Sequence, residues 1–302
     1  MSEGKVEAGT QGADRTLSAI EAFFEGAADE KYRAFQASLK FSSRPVPAVR
    51  MPRLREKARA IITSRETRRV LDAILALWKS ENRPRNRSRV LACEWTLLGS
   101  VLIGRDASLT PGERAAYYKA WCELLDGWGL VDCHAAEGRF MRVAPDFWQP
   151  QIEAWIDGVD ATRPETVWTA RLGIAAILYH FNDAANLDWA YKALSSPRLA
   201  AALKTLADQN VGKGEGATSA DDHRYYLTMA LGWCWATLFC TDADRTTAAF
   251  CALMKAGLAD AGVAKKFVRK VGESLKTSDA EYEMLKEVLK SVLKEAQSGV
   301  FP

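Results

Sequence analysis

Residues Pro52–Lys79 read PRLREKARAIITSRETRRVLDAILALWK, and this stretch carries the pattern that decides the predicted fold. On both sides of Ser64-Arg65, apolar residues recur every three or four positions with charged residues between them. Such spacing places the apolar side chains on one face of a helix. The stretch therefore predicts two amphipathic helices, Pro52–Thr63 and Glu66–Lys79, joined by a short turn.

The same helical spacing continues along almost the whole chain, and no segment shows the two-residue alternation typical of a half-buried strand. Thr110-Pro111 is a helix-start signal, and Ser278 or Asp279 can cap the last helix. Further helices are predicted over Arg15–Glu25, Asp29–Phe41, Arg87–Ile103, Pro111–Leu125, Ala144–Asp157, Thr166–Phe181, Leu187–Leu194, Arg198–Asn210, Asp222–Phe239, Ala243–Ala256, Ala264–Leu275 and Asp279–Ala296.

Helix pairs of roughly 35 to 45 residues with short linkers are typical of helical repeats. We predict an all-α fold of HEAT-like repeats stacked into a curved solenoid, with an irregular helical bundle as the alternative. One domain is expected over residues 15–297, between a disordered polar tail at 1–14 and a C-terminal tail at 298–302. Val211–Ala220 is predicted to be a surface loop, because its Gly-Lys-Gly-Glu-Gly core lacks the spacing of a phosphate-binding loop.

The composition is typical of a soluble globular protein and disfavours several kinds of site. Six cysteines without a C-x-x-C spacing and only three histidines indicate free thiols and no metal site. The first residues lack the apolar stretch of a signal peptide, and the longest apolar run, Tyr225–Cys240, is too short for a confident membrane span. We therefore expect a cytoplasmic monomer with no cofactor and no membrane contact.

Positive charge is concentrated in one part of the chain, although the net charge is only +3. Between Arg50 and Arg89 there are thirteen lysines and arginines and four acidic residues, which leaves +9. A polyanion-facing patch and an ordinary solvated helix surface both fit this pattern. Arg53 and Arg55 are the first candidates if the patch contacts a polyanion.

Three short segments pair a tryptophan with a polar or flexible residue, roughly 40 to 60 residues apart. In a stack of helical repeats, that spacing would bring one segment from each layer to the same concave wall. The alternative for each segment is a tryptophan packed in the core, with Asp132 capping a helix that begins near Cys133. Glycine inside a helix costs about 1 kcal/mol relative to alanine, so Gly232 predicts a close approach by another element. The segments are Trp128-Gly129-Leu130-Val131-Asp132, Trp168-Thr169-Ala170-Arg171 and Ala230-Leu231-Gly232-Trp233.

Taken in order, these segments resemble the motifs of the HEAT-like-repeat DNA alkylation repair family, the AlkD-type alkylpurine DNA glycosylases. Trp128 to Asp132 is similar to the family's W-x-x-V-D, and Trp168 to Arg171 is similar to its W-x-x-R. The resemblance runs from about Ala28 to Leu285. Other parts of it are Asp29-Glu30-Lys31-Tyr32, Val49-Arg50-Met51-Pro52-Arg53-Leu54-Arg55, Met229-Ala230-Leu231-Gly232-Trp233 and Lys265 to Ser274.

The resemblance implies a concave DNA-binding groove and hydrolysis of the N-glycosidic bond of purines that carry positive charge after alkylation at N3 or N7. It implies that Asp132 stabilises the developing sugar cation, that Trp128 and Trp233 flank it, and that Arg171 holds the neighbouring phosphate. Double-stranded DNA, alkylated or branched, is then the partner, contacted by Arg53, Arg55, Tyr32 and Trp168. The family leaves the damaged base stacked in the duplex. We expect Trp128, Asp132, Arg171 and Trp233 to converge on one electropositive concavity.

The chain departs from the family pattern in the helix that contains Trp233. Met229 stands where a lysine is usual, and Trp235-Ala236-Thr237 replaces Leu-Arg-Glu. Two alternatives to an enzyme therefore stay open. One is a catalytically silent protein that binds branched or damaged DNA, and the other is a helical-repeat scaffold for a protein partner.

Overall fold

The computed structural model describes residues 16–42, 44–45, 48–81, 92–209 and 222–297. Several predictions concern residues outside this set, namely the two tails, the loop Val211–Ala220 and the arginines at positions 83, 85, 87 and 89.

Every regular element in the described part of the chain is helical, as the periodicity predicts. Two short 3-10 helices, η1 (Cys122–Leu124) and η2 (Arg139–Val143), flank α7. The α-helices are α1 (residues 16–26), α2 (Glu30–Ser38), α3 (Met51–Thr63), α4 (Thr67–Glu81), α5 (Cys93–Arg105), α6 (Pro111–Trp121), α7 (Trp128–Ala136), α8 (Pro145–Asp157), α9 (Pro164–His180), α10 (Leu187–Leu194), α11 (Pro197–Gln209), α12 (His223–Phe239), α13 (Ala243–Lys255), α14 (Ala261–Gly272) and α15 (Asp279–Gln297).

Local capping explains where many of these helices begin. Thr110 and Glu113 form a reciprocal capping box at the start of α6, where Pro111 occupies the first turn. At α15 the cap is Ser278, whose hydroxyl accepts from the Glu281 N–H at 3.3 Å while Glu281 accepts from the Ser278 N–H at 2.8 Å. The helix starts predicted at Thr110-Pro111 and Ser278 are therefore confirmed.

The chain divides into two compact units, unit 1 (Met1–Glu137) and unit 2 (Gly138–Pro302). In unit 1, α5 is the central helix, with every residue from Cys93 to Ile103 buried. It packs against α3 and α7, and also against α4 and α6. A helix without a polar face is stable only where other helices cover it on all sides, as they cover α5. The single domain over residues 15–297 stays a prediction.

In unit 2, α12 is the central helix, and it packs mainly between α9 and α14. Helix α8 covers α9, while α15 packs against α13 and α14. Trp235 of α12 is buried in this core, stacked on Tyr191 with ring centroids 5.5 Å apart and edge-on to Phe250 at 5.1 Å. Position 235, where the chain departs from the family pattern, therefore belongs to the interior of unit 2.

All six cysteines are free thiols. Within the described residues, no helix combines the length and the apolar character that crossing a membrane requires.

Candidate functional site

The first candidate motif forms helix α7, which begins at Trp128 with Gly127 as its N-cap residue. The alternative in which Asp132 caps a helix starting near Cys133 is wrong, because Asp132 is the fifth residue of α7. Residues four apart share a helix face, so Trp128 and Asp132 lie on the same side of α7.

Two glycines allow the chain before α3 to lie directly on the start of α7. A Cβ atom at Gly129 would be 2.2 Å from the ring of Phe41, and one at Gly127 would be 2.5 Å from the Phe41 carbonyl oxygen. The Gly129 N–H donates to that same carbonyl at 3.2 Å. Only residues without a side chain fit here, so the two glycines fix where α7 begins.

Trp128 is half-buried and held by main-chain groups at the end of α2. Its indole N–H donates to the carbonyl oxygens of Leu39 and Lys40 at 3.2 and 3.1 Å. Its ring lies against Phe41, with centroids 5.8 Å apart. Trp128 is therefore anchored at its polar edge, and part of its ring remains accessible.

Asp132 has only 8% of its surface exposed. The pKa of the neighbouring Cys133 thiol is raised to about 12, mainly by burial and in smaller part by the charges of Asp132 and Glu137. The arrangement keeps one carboxylate on the Trp128 face of α7, largely out of water. Charge interactions are stronger there than in solvent.

The second candidate motif lies on α9, where both of its functional residues are buried. Arg171 is 4% exposed, and its Nη1 donates to the carbonyl oxygen of Tyr226 in α12. Trp168 is also 4% exposed, with its ring against His223 at 5.5 Å and Tyr226 at 5.6 Å. Trp168 thus packs α9 onto the first turn of α12. Its direct contact with DNA stays a prediction, as does the phosphate contact of Arg171.

The third candidate motif lies on α12, and here the expected close approach is confirmed. A Cβ atom at Gly232 would be 2.5 Å from Cβ of Lys266 and 2.9 Å from the backbone nitrogen of Phe267. Helix α14 therefore lies against the α12 backbone at this point. Trp233 is 37% exposed, so it is not a core residue, and it meets Tyr179 edge-on at 5.9 Å.

Tyr32 belongs to a small cluster that joins the starts of α2 and α3. The guanidinium of Arg50 lies 4.9 Å from the centre of the Tyr32 ring, and its Nε donates to Asp29 at 2.9 Å. Asp29 also accepts from the Tyr32 N–H at 3.0 Å as the α2 cap. Burial raises the pKa of Tyr32, and the nearby Cys133 of α7 contributes. Tyr32 thus lies near α7 within unit 1.

Both arginines of the basic stretch that were predicted to contact DNA are held in ion pairs. Arg53 is exposed and pairs with Glu56 on its own helix at 2.7 Å. Arg55 pairs with Glu137 at 2.8 Å, and Arg105 pairs with the same carboxylate at 2.7 Å. The sequence predicts that Arg55 contacts DNA, but it gives no signal that Arg55 and Arg105 share Glu137, because these residues lie far apart in the chain.

The described part of the chain is thus all-helical, with the tryptophan–aspartate motif on α7 of unit 1 and the tryptophan–arginine motif on α9 of unit 2. A family model described as DNA alkylation repair enzyme matches residues 19–211, and the chain belongs to this family. The resemblance predicted from the motifs is confirmed. The matched region contains Trp128, Asp132, Trp168 and Arg171 and ends before α12. Neither the curated proteins nor the solved structures contain a significant match.

Membership of the family indicates a role in DNA repair, with DNA as the substrate. It also indicates that the role is enzymatic, without specifying the reaction.

Proposed function

We propose that the protein is a DNA N-glycosylase that releases N3- or N7-alkylated, positively charged purines from duplex DNA without flipping the base. The observation that carries the proposal is the family match over α7 and α9, together with the position of Asp132 one helical turn from a partly accessible Trp128. The HEAT-like stacking and the DNA-binding groove predicted from the sequence are parts of the same proposal.

The chemistry requires one carboxylate and no general acid. A cationic purine is already a good leaving group, so the usual second carboxylic acid of a glycosidase is unnecessary. Positive charge develops on the deoxyribose as the bond to the base breaks. In this proposal the Asp132 carboxylate stabilises that charge and orients the attacking water.

The indoles and the arginine take supporting roles. Trp128 and Trp233 present the negative faces of their rings to the sugar, an interaction worth about 0.5–2 kcal/mol each. Arg171 binds the phosphate next to the lesion through charge-assisted hydrogen bonds. Its bond to the Tyr226 carbonyl fixes the guanidinium group against α12.

Release of 7-methylguanine from a defined duplex tests the proposal. Purified protein in excess over the duplex should release the base in a single turnover. Asp132→Asn should reduce the rate at least about 100-fold, the scale on which a charge-stabilising group acts. Asp146→Asn, on the exposed first turn of α8, is the matched control and should keep the wild-type rate. Equal rates for wild type and Asp132→Asn would remove Asp132 from the reaction.

A second candidate function is DNA binding without base release. It is favoured by α12, which lacks the charged side chains that the family pattern has next to Trp233. This helix contains one arginine and no lysine, and Arg224 is paired with Asp260 at 3.0 Å. Met229 is partly exposed, one turn before Trp233, and Thr237 bonds to the Trp233 carbonyl at 3.0 Å. Salt-sensitive duplex binding by the wild type with no base release would select this function.

A further inference from the structure

A buried carboxylate in unit 1 holds two arginines from different helices side by side. Glu137, at the end of α7, has a side chain only 5% exposed. Its Oε1 accepts from Nε and Nη2 of Arg55 in α3 at 2.9 and 2.8 Å. Nε of Arg105, at the end of α5, donates to Oε2 at 2.7 Å, and its Nη2 lies 3.4 Å from Oε1. The two guanidinium groups therefore share one oxygen atom.

The backbone is arranged so that Arg105 can reach this carboxylate. A Cβ atom at Gly104 would be 2.4 Å from the Glu137 carbonyl oxygen, so the end of α5 is in direct contact with the end of α7. Burial of Glu137 and its several hydrogen bonds restrict the rotation of both guanidinium groups. The pair is thus rigid compared with Arg53, whose partner Glu56 is itself 62% exposed.

The charge in this cluster is incompletely balanced. Two cations face one carboxylate, and the side chains of Arg55 and Arg105 are 40% and 44% exposed. Neither Nη1 group has a hydrogen-bond partner among the described residues. One further anion at this position would balance the charge and accept from both groups. A phosphodiester oxygen pair suits adjacent guanidinium groups, which present parallel N–H donors.

We propose that Arg55 and Arg105 together bind one phosphodiester group of the DNA, with Glu137 fixing their orientation. The proposal rests on the assignment of DNA as substrate, and it adds a contact on α5 to the one predicted on α3. A purely structural role for the cluster makes a different prediction, because breaking a buried ion pair lowers stability without changing the number of phosphates bound.

The salt dependence of duplex binding measures this number directly. The binding constant Kobs falls as the salt concentration rises, and each phosphate contact makes the slope of log Kobs against log salt concentration steeper by about 0.9. At 0.1 M salt one such contact raises the affinity about eightfold relative to 1 M salt. Arg105→Gln and Arg55→Gln should each weaken binding of an unmodified duplex about eightfold and reduce the slope by about 0.9. Arg105→Lys keeps the charge but loses the planar fork, and it should keep most of the slope with weaker binding.

Arg68→Gln is the matched control, because Arg68 is 47% exposed and pairs with Glu113 at 2.6 Å from α4. It should leave both affinity and slope unchanged. Slopes equal to wild type in folded Arg105→Gln and Arg55→Gln proteins would overturn the proposal.

Base release distinguishes this proposal from the glycosylase proposal. If the wild type releases no base but the slopes change as expected, the phosphate site stands and the glycosylase assignment fails. If the wild type releases base and the slopes do not change, only the phosphate site fails.

Discussion

Replacing Gly232 by alanine tests the close packing of α12 on α14, the contact beside which Trp233 reaches the surface. The added methyl group would be 2.5 Å from Cβ of Lys266, 2.8 Å from its carbonyl carbon and 2.9 Å from the nitrogen of Phe267. Comfortable contact between carbon atoms is about 3.5–4.0 Å. The two helices must therefore separate locally by roughly 1 Å to admit the methyl group.

Two opposing effects determine the size of the change. Overpacking of a close-packed core costs about 1–3 kcal/mol, while alanine gains about 1 kcal/mol over glycine within a helix. Two of the three atoms in the way are backbone atoms, which cannot rotate aside, so the upper half of the overpacking range applies. We expect Gly232→Ala to lower the free energy of unfolding by about 1–2 kcal/mol.

Urea unfolding followed by far-ultraviolet circular dichroism measures this difference. Gly112→Ala is the matched control, because it lies in α6 and a Cβ atom there would have no neighbour within 4 Å. The control gains helix propensity without a clash and should be as stable as the wild type or up to about 1 kcal/mol more stable. A Gly232→Ala protein at least as stable as the wild type would refute the packing argument.

Three further predictions concern stability. Burial lowers the pKa of His134 from its ordinary 6.5 to about 3, so only the unfolded chain takes up a proton as the pH falls below 6.5. Stability should drop by about 2 kcal/mol between pH 6.5 and 5, and a His134→Gln protein measured by urea unfolding should lack this drop. Arg44→Met should cost about 3 kcal/mol in the same assay, because the Arg44 side chain is 5% exposed and the substitution removes its ion pair with Asp126 at 3.0 Å. A loss below about 1 kcal/mol would contradict this. Thr110→Ala should lower the free energy of unfolding by about 1 kcal/mol, because the α6 capping box is lost. The melting temperature should therefore fall, and an unchanged melting temperature would argue against this role of Thr110.

Amphipathic spacing was sufficient to predict most of the helices. Helix α10 is observed over Leu187–Leu194 as expected, and α3 differs from its prediction by one residue at its start. Helix α7 was not among the predicted helices, although it carries Asp132. Six of its nine residues are buried, so it shows no apolar and polar faces for periodicity to detect.

The candidate residues themselves were found through the motifs, but their surroundings were not predictable. Gly232 could be interpreted locally, since a glycine within an apolar helix indicates a close neighbour. The hydrogen bond of Arg171 to the Tyr226 carbonyl and the pairing of Arg55 with the Glu137 side chain join residues 55 and 82 positions apart. Local pattern contains no information about such partners, and only the packed fold brings them together.

The packing of Trp128 and Gly129 against residues 39–41 has a consequence for folding during synthesis. Trp128 follows its acceptor Leu39 by 89 positions, so a ribosome adding about 5–20 residues per second completes the earlier segment roughly 5 to 20 s before its partner emerges. Phe41, almost fully covered in the finished molecule, must spend that interval without the glycines on which it rests. The nascent chain thus carries an exposed aromatic anchor, and the helix that bears Asp132 becomes seated only when synthesis of unit 1 is nearly complete.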